Sequence, residues 1–113
     1  MHADIDSTIA ALADPARRAI VEQLRKGPQR PSHVADALSL SRSVLSRHLR
    51  VLRVAGLINE ELLASDARAR LVQLRREPFA DLRDWITEVE AFWQDQLAAF
   101  KQHAETSHKR PRK

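Results

Sequence analysis

Residues 41–56 read SRSVLSRHLRVLRVAG, and the spacing leaves room for one local structure. Leu45, Leu49, Leu52 and Ala55 recur at helical spacing and form a single apolar stripe. The other side carries Arg42, Ser43, Ser46, Arg47 and Arg50, and the stretch has no acidic residue. Ser41 is a good N-cap. Gly56 is a good C′ residue, followed by the apolar Leu57 that such a cap favours. A helix that buries one edge and presents guanidinium and hydroxyl groups on the other suits the major groove of DNA, where both reach base-edge acceptors.

The chain has 113 residues, enough for one compact domain. Aromatic residues are only 4% and tyrosine is absent, so Leu, Ala, Val and Ile do most of the packing. Two glycines and five prolines point to helix and away from a sandwich or barrel. With no cysteine, disulfides, thiolate metal ligands and thiol redox switches are excluded. The beginning carries Asp4, Asp6 and Asp14 without a long apolar run, so a signal peptide is not expected. No stretch approaches membrane-span length, and the expected compartment is the cytoplasm.

The formal charge of +4 is informative only by its placement. Lys109, Arg110, Arg112 and Lys113 are four of the 19 basic residues; the other 15 balance 15 acids. The body is therefore neutral. Arginines gather in residues 42–53 and 68–76, and acids in 77–95.

Ile5, Ile9 and Leu12 predict a short first helix. Asp14-Pro15 gives the second an N-cap followed by proline at the first helical position. Ile20, Val21 and Leu24 point inward there, and Arg18–Glu22 and Glu22–Lys26 are spaced for outer ion pairs. Gly27-Pro28 stops it. Pro31-Ser32 opens a third helix with Val34, Ala35 and Leu38 inward, and Ser39-Leu40 is a tight connection into the arginine helix, with Leu40 plugging the core. Two helices joined so closely, the second basic on its open face, form a helix-turn-helix.

Beyond Gly56 the period changes. Residues 57–63 and 69–76 read as a two-stranded hairpin, or wing, with Ser65-Asp66-Ala67-Arg68 as its turn. Pro78 then suits the first position of a long last helix. Phe79, Leu82, Ile86, Val89, Trp93, Leu97 and Phe100 form its sustained stripe, with Trp85, Phe92 and Ala99 on the flank. That arc is wider than one small domain needs. From about Thr106 the composition turns polar and basic, and 106–113 is expected to be a disordered tail beyond a domain at 1–105.

Residues 11–24 (ALADPARRAIVEQL) and 34–58 (VADALSLSRSVLSRHLRVLRVAGLI) resemble the ArsR family of bacterial winged-helix repressors. Residues 78–97 (PFADLRDWITEVEAFWQDQL) look like a branch with two tryptophans in the final helix, often called SdpR-like. The resemblance spans residues 5–102. It implies a mainly α winged helix-turn-helix with a small β-hairpin wing, dimeric through the first and last helices. Two recognition helices would then enter successive major grooves about 34 Å apart. Seam residues on this reading are Ile5, Ile9, Leu82, Trp85, Ile86, Val89, Trp93, Leu97 and Phe100. The positions matching the family's thiolate metal site are Arg30, Ser32 and Ala35, none of them a thiolate. The Asp-x-His of the family's other metal site is Asp81-Leu82-Arg83 here, and Leu97 stands where its partner histidine belongs. Metal sensing of these kinds is not expected. The wing lacks the family's common tip glycine.

The expected partner is double-stranded DNA. Arg42, Ser43, Ser46 and Arg47 are the leading base-edge or phosphate contacts, with Ser41 capping beside them. Arg50 and Arg53 lie further along, toward backbone contacts or intramolecular pairs. His48 either meets DNA or packs at the helix edge with one nitrogen bonded locally. Ser32 suits a phosphate, an N-cap or both. Arg68 and Arg70 on the wing suit a narrow minor groove. His2, His33, His103 and His108 show no metal-ligand spacing, and Trp85 and Trp93 are read as packing. Asp81, Asp84, Glu88 and Asp95 line a solvated face, and no phosphate loop or nucleophile–base pair is present, so no enzyme and no cofactor are expected. The effector is left open among a small molecule, a partner protein and none. The competing reading is a helical dimerisation module that binds another protein without DNA.

Overall fold

Prolines, aspartate and serine set the helix starts, and glycine and left-handed serine set the stops. The computed structural model describes residues 5–63 and 66–109. Four short helices come first: α1 (Ile5–Leu12), α2 (Pro15–Leu24), α3 (Pro31–Leu38) and α4 (Arg42–Val54). An antiparallel hairpin of β1 (Ile58–Leu63) and β2 (Asp66–Leu74) follows, and then the long helix α5 (Arg76–Lys109). The chain forms two compact units, Met1–Leu82 and Arg83–Lys113. No helix among the described residues is long and apolar enough to cross a membrane.

In the first unit, Ile20, Leu24, Val34, Leu45 and Leu52 meet Leu57, Ile58 and Val72 from the hairpin in one buried core. Leu40 and Phe79 pack against it. Of the expected inner face of α1, Ile5 is buried and Leu12 packs against the core, and only Ile9 departs from it. Ile5, Thr8 and Ala11 are buried, and Ile9 is turned out at 43% exposure. A stripe at steps of three brings the small Thr8 and Ala11 inward instead of a second isoleucine.

Asp14 caps α2 by accepting from the backbone N–H groups of Ala16 (2.7 Å) and Arg17 (3.2 Å). The arginines of ADPARR then turn back on α1. Arg17 Nε donates to the Ala11 carbonyl at 2.7 Å and Arg18 Nη1 to the Leu12 carbonyl at 2.8 Å. These are carbonyls that a helix C-terminus leaves without partners. Arg18 is therefore not paired with Glu22 as its spacing suggested. Glu22 pairs with Arg25 at 2.7 Å, and Lys26 donates to the Gln23 side chain.

The Gly27-Pro28 stop carries a strand-like contact. Gln29 and Val72 exchange backbone hydrogen bonds of 3.1 and 2.8 Å, tying the segment before α3 to β2. The Gln29 side chain donates to the Gln23 and Gly27 carbonyls. Ser39 closes α3 in the left-handed region at φ 55°. At the end of α4, Leu57 N–H donates to the Leu52 carbonyl (2.9 Å) and Gly56 N–H to that of Arg53 (3.0 Å). This is a Schellman closure with Gly56 at φ 81°.

Several boundaries of the hairpin and the last helix differ from the sequence expectation, β1 beginning at Ile58 and β2 ending at Leu74. β2 begins at Asp66, so Asp66, Ala67 and Arg68 belong to a strand. The register shifts between Leu62 and Leu63, which an alternating pattern cannot announce. Helix α5 begins at Arg76, two residues before Pro78, which sits in the first turn where its missing N–H has no helical acceptor. It continues to Lys109, beyond the expected start of disorder at Thr106, because nothing in AETSHK breaks a helix before Pro111. Residues 110–113 of the expected tail lie outside the described residues.

Two stability predictions follow from the caps. A Cβ at Gly56 meets only the flexible Arg75 guanidinium at 3.3 Å, so backbone strain dominates. Gly56→Ala should lower unfolding free energy by about 1–2 kcal/mol in denaturant titration. The backbone N–H of Arg17, more than that of Ala16, holds the Asp14 carboxyl below its ordinary value. A lowered folded pKa gives stability that is present at neutral pH and lost as pH falls through that value. Asp14→Asn, which caps without titrating, should flatten that acid limb of the stability profile; an unchanged limb would assign it to other carboxylates.

Candidate nucleic-acid interface

Burial of Leu45 (2%), Leu49 (4%) and Leu52 (0%) fixes the rotation of α4 about its axis. Arg42, Ser43, Ser46, Arg47 and Arg50 are consequently exposed. Arg42, Arg47 and Arg50 make no hydrogen bond or ion pair among the described residues. The Ser41 hydroxyl accepts from Val44 N–H at 3.2 Å and lies 3.4 Å from the Ser43 hydroxyl, so it starts the helix and remains at the surface. A cationic, acid-free helix face with its guanidinium groups unspent can offer donors to phosphate oxygens and to base edges.

The start of α3, the outer side of α4 and the hairpin enclose a depression of about 200 Å³. Ser32, Arg42, Ser46, Arg53, Glu60 and Arg70 are among its walls. Ser32 is the second helical residue of α3 and not its N-cap. Pro31 occupies the first helical position, which makes Arg30 the last extended residue, and Arg30 gives no side-chain cap. The half-buried Ser32 hydroxyl lines the depression.

His48 is half-buried, with Nδ1 3.5 Å from Arg17 Nη1. A guanidinium only donates, so Nδ1 is the accepting side of this contact. The locally bonded alternative for His48 therefore describes this nitrogen. Arg53 is spent within the chain, donating to Glu60 Oε1. Arg70 Nη1 lies 3.3 Å from Glu60 Oε2. The side chain of Arg68 lies outside the described residues.

Three contributors escaped the sequence reading. Arg17 joins the α1 carbonyls, Asp14 and His48, and the spacing of DPARR was its only trace. Glu60 joins the end of α4 to the wing. Its strand partner is Val72, so Arg70 is a diagonal neighbour that only the register reveals. Gln29 had no signal at all.

The seam candidates are also distributed unevenly. Ile5 is buried within its own chain, and Leu82 and Val89 are half-buried. Ile9, Trp85, Ile86, Trp93, Leu97 and Phe100 are exposed, from 41% at Trp85 to 73% at Phe100. Phe92 packs edge-on to Trp93, ring centroids 5.5 Å apart, and is 54% exposed.

A helix-turn-helix followed by a hairpin, with an unpaired basic face on its second helix, defines a winged helix-turn-helix DNA-binding protein. Residues 14–60 match the family described as bacterial regulatory protein, arsR family. The chain is 37% identical to the HTH-type transcriptional regulator Rv2034 of Mycobacterium tuberculosis, over 86% of its own length and 85% of that protein's. It is 36% identical to the HTH-type transcriptional repressor SmtB of the same species, over 56% of its length and 47% of that protein's. Among solved structures, an ArsR-like transcriptional regulator from Rhodococcus sp. RHA1 superposes with a TM-score of 0.76 at 28% identity, covering 90% of this chain and 93% of that one. The chain belongs to the arsR family of transcriptional regulators. It is a DNA-binding transcriptional regulator and not an enzyme.

Proposed function

We propose that the chain works in the cytoplasm as a homodimeric repressor that occupies a palindromic operator. One observation carries this reading: Arg42, Arg47 and Arg50 stand exposed on α4 without partners among the described residues. Each protomer inserts α4 into a major groove. Arg42, Ser43, Ser46 and Arg47 meet base edges or nearby phosphates, Arg50 meets backbone, and His48 borders the same face. Ser32 and Ser41 donate to phosphate beside them. Arg68 approaches the flanking minor groove, while Arg70 stays beside Glu60 on the wing. Residues 1–105 act as one binding and dimerisation domain. Repression follows from occupancy of promoter DNA, and the repressor name of one relative supports that direction.

Dimerisation is supported by the apolar residues left open. Burying one large apolar side chain contributes about 1.5–3 kcal/mol. Trp85, Ile86, Trp93, Leu97 and Phe100 on α5 therefore represent a large free energy to be gained against a second copy. Ile9 on α1 is left exposed as well, whereas Ile5 is buried within its own chain.

Selection of bound sequences from random DNA tests the reading, with two-fold symmetric enrichment expected. Each phosphate neutralised contributes about 0.9 to the slope of log affinity against log salt, so a dimer should show a slope of several units. A salt-insensitive interaction would instead favour a module that binds another protein. On the enriched duplex, Arg47→Ala should weaken binding by about 1–3 kcal/mol; unchanged affinity removes Arg47 from the base contacts. Leu97→Glu should split the dimer in sedimentation and abolish tight binding to a two-half-site duplex. A folded dimer carrying that change would place the seam elsewhere.

A further inference from the structure

Glu60 stands alone as an acid in a basic depression. Among the described residues that line it, the other ionisable side chains are Arg42, Arg53 and Arg70. One Glu60 oxygen accepts from Arg53, at the end of α4, and the other lies 3.3 Å from Arg70 on the wing. Glu60 is 20% exposed, Arg53 46% and Arg70 64%. Ion pairs this open to solvent add little to stability. Their larger effect is on the field that approaching DNA meets.

We propose that Glu60 is a specificity-determining residue: by holding Arg53 and Arg70 it suppresses sequence-independent phosphate binding at the wing side of α4. This rests on the DNA-binding reading above. Any duplex presents phosphates, so two unpaired arginines here would strengthen right and wrong sequences alike. A fixed carboxylate between them cancels part of that attraction and repels a phosphate at the same place. Discrimination is then left to the unpaired Arg42 and Arg47 and to Ser46, which can meet base edges. Specificity is a difference of affinities, and a repulsive element acts on the unwanted partner.

The test compares wild type, Glu60→Gln and Glu60→Asp on a random-sequence duplex and on the selected duplex, across a salt series. Thermal melting checks folding. Glu60→Gln should raise affinity for the random duplex by about 3–10-fold and steepen its salt slope by about one to two, one for each arginine released. The selected duplex should gain less, so the ratio of affinities falls. Glu60→Asp keeps the charge but shortens the reach, and should lie between, which separates local release from added net charge.

Equal gains on both duplexes, with Glu60→Asp indistinguishable from wild type, would reduce the effect to net charge and overturn the proposal. Losses on both duplexes, or a Glu60→Gln chain that does not fold, would make Glu60 a structural brace and overturn it equally. An unchanged affinity ratio alongside salt-dependent binding by wild type removes this inference alone. A wild type without salt-dependent DNA affinity removes the DNA-binding reading and this one together.

Discussion

The leucine edge of α4 decides where its arginines go. Successive residues of an α-helix turn by about 100°, so seating Leu45, Leu49 and Leu52 in the core leaves no freedom about the axis. Each fully buried leucine contributes about 1.5–3 kcal/mol, and a rotation that unseated all three would also bring charged groups toward an apolar core. Exposure of Arg42, Arg47 and Arg50 is thus a consequence of packing on the opposite side. Ser41 fixes where the helix begins, and the Gly56 closure fixes where it ends. Phase and length together set which few side chains can reach a groove.

The same helix is anchored from its flank by a polar corner. Arg17 satisfies carbonyls at the end of α1, lies 3.7 Å from the Asp14 carboxylate and reaches the His48 ring. The α1 helix has no basic residue in its own last turn, so the cations that complement its C-terminal carbonyls come from the next helix. A short loop between α1 and α2 makes that geometry possible. The guanidinium then couples the helix corner to the middle of α4, where His48 borders the exposed basic face.

Helix positions were legible where a residue's own backbone chemistry sets them. Asp14-Pro15, Pro31, Ser41 and Gly56 each impose a local conformation, and the structure uses each one at or beside the expected boundary. The apolar stripes of α2, α3 and α4 were legible for the same reason that they fold: one face must leave water. What escaped depends on separation in sequence. The Glu60–Arg70 pair needs the hairpin register, and that register shifts at Leu62/Leu63. The Gln29–Val72 exchange joins residues that no local pattern relates. On α1, Thr8 and Ala11 are buried while Ile9 is exposed, an order that hydrophobicity alone ranks wrongly.

A body with no net charge can still offer DNA a strongly cationic surface, provided its acids are spent elsewhere. Glu22 and Asp84 pair with arginines on their own helices, and Asp14 is engaged in capping. The acids of α5 lie away in sequence from the arginines of α4, and α4 itself contains none. Glu60 does pair with an arginine of α4, and that arginine is Arg53 in the last turn of the helix. Charge is therefore graded along the helix: unpaired at Arg42 and Arg47, neutralised at Arg53. Since the N-terminal part of a recognition helix is the part that approaches base edges, on the proposed reading this gradient would concentrate attraction where sequence can be read and weaken it where only backbone would be met.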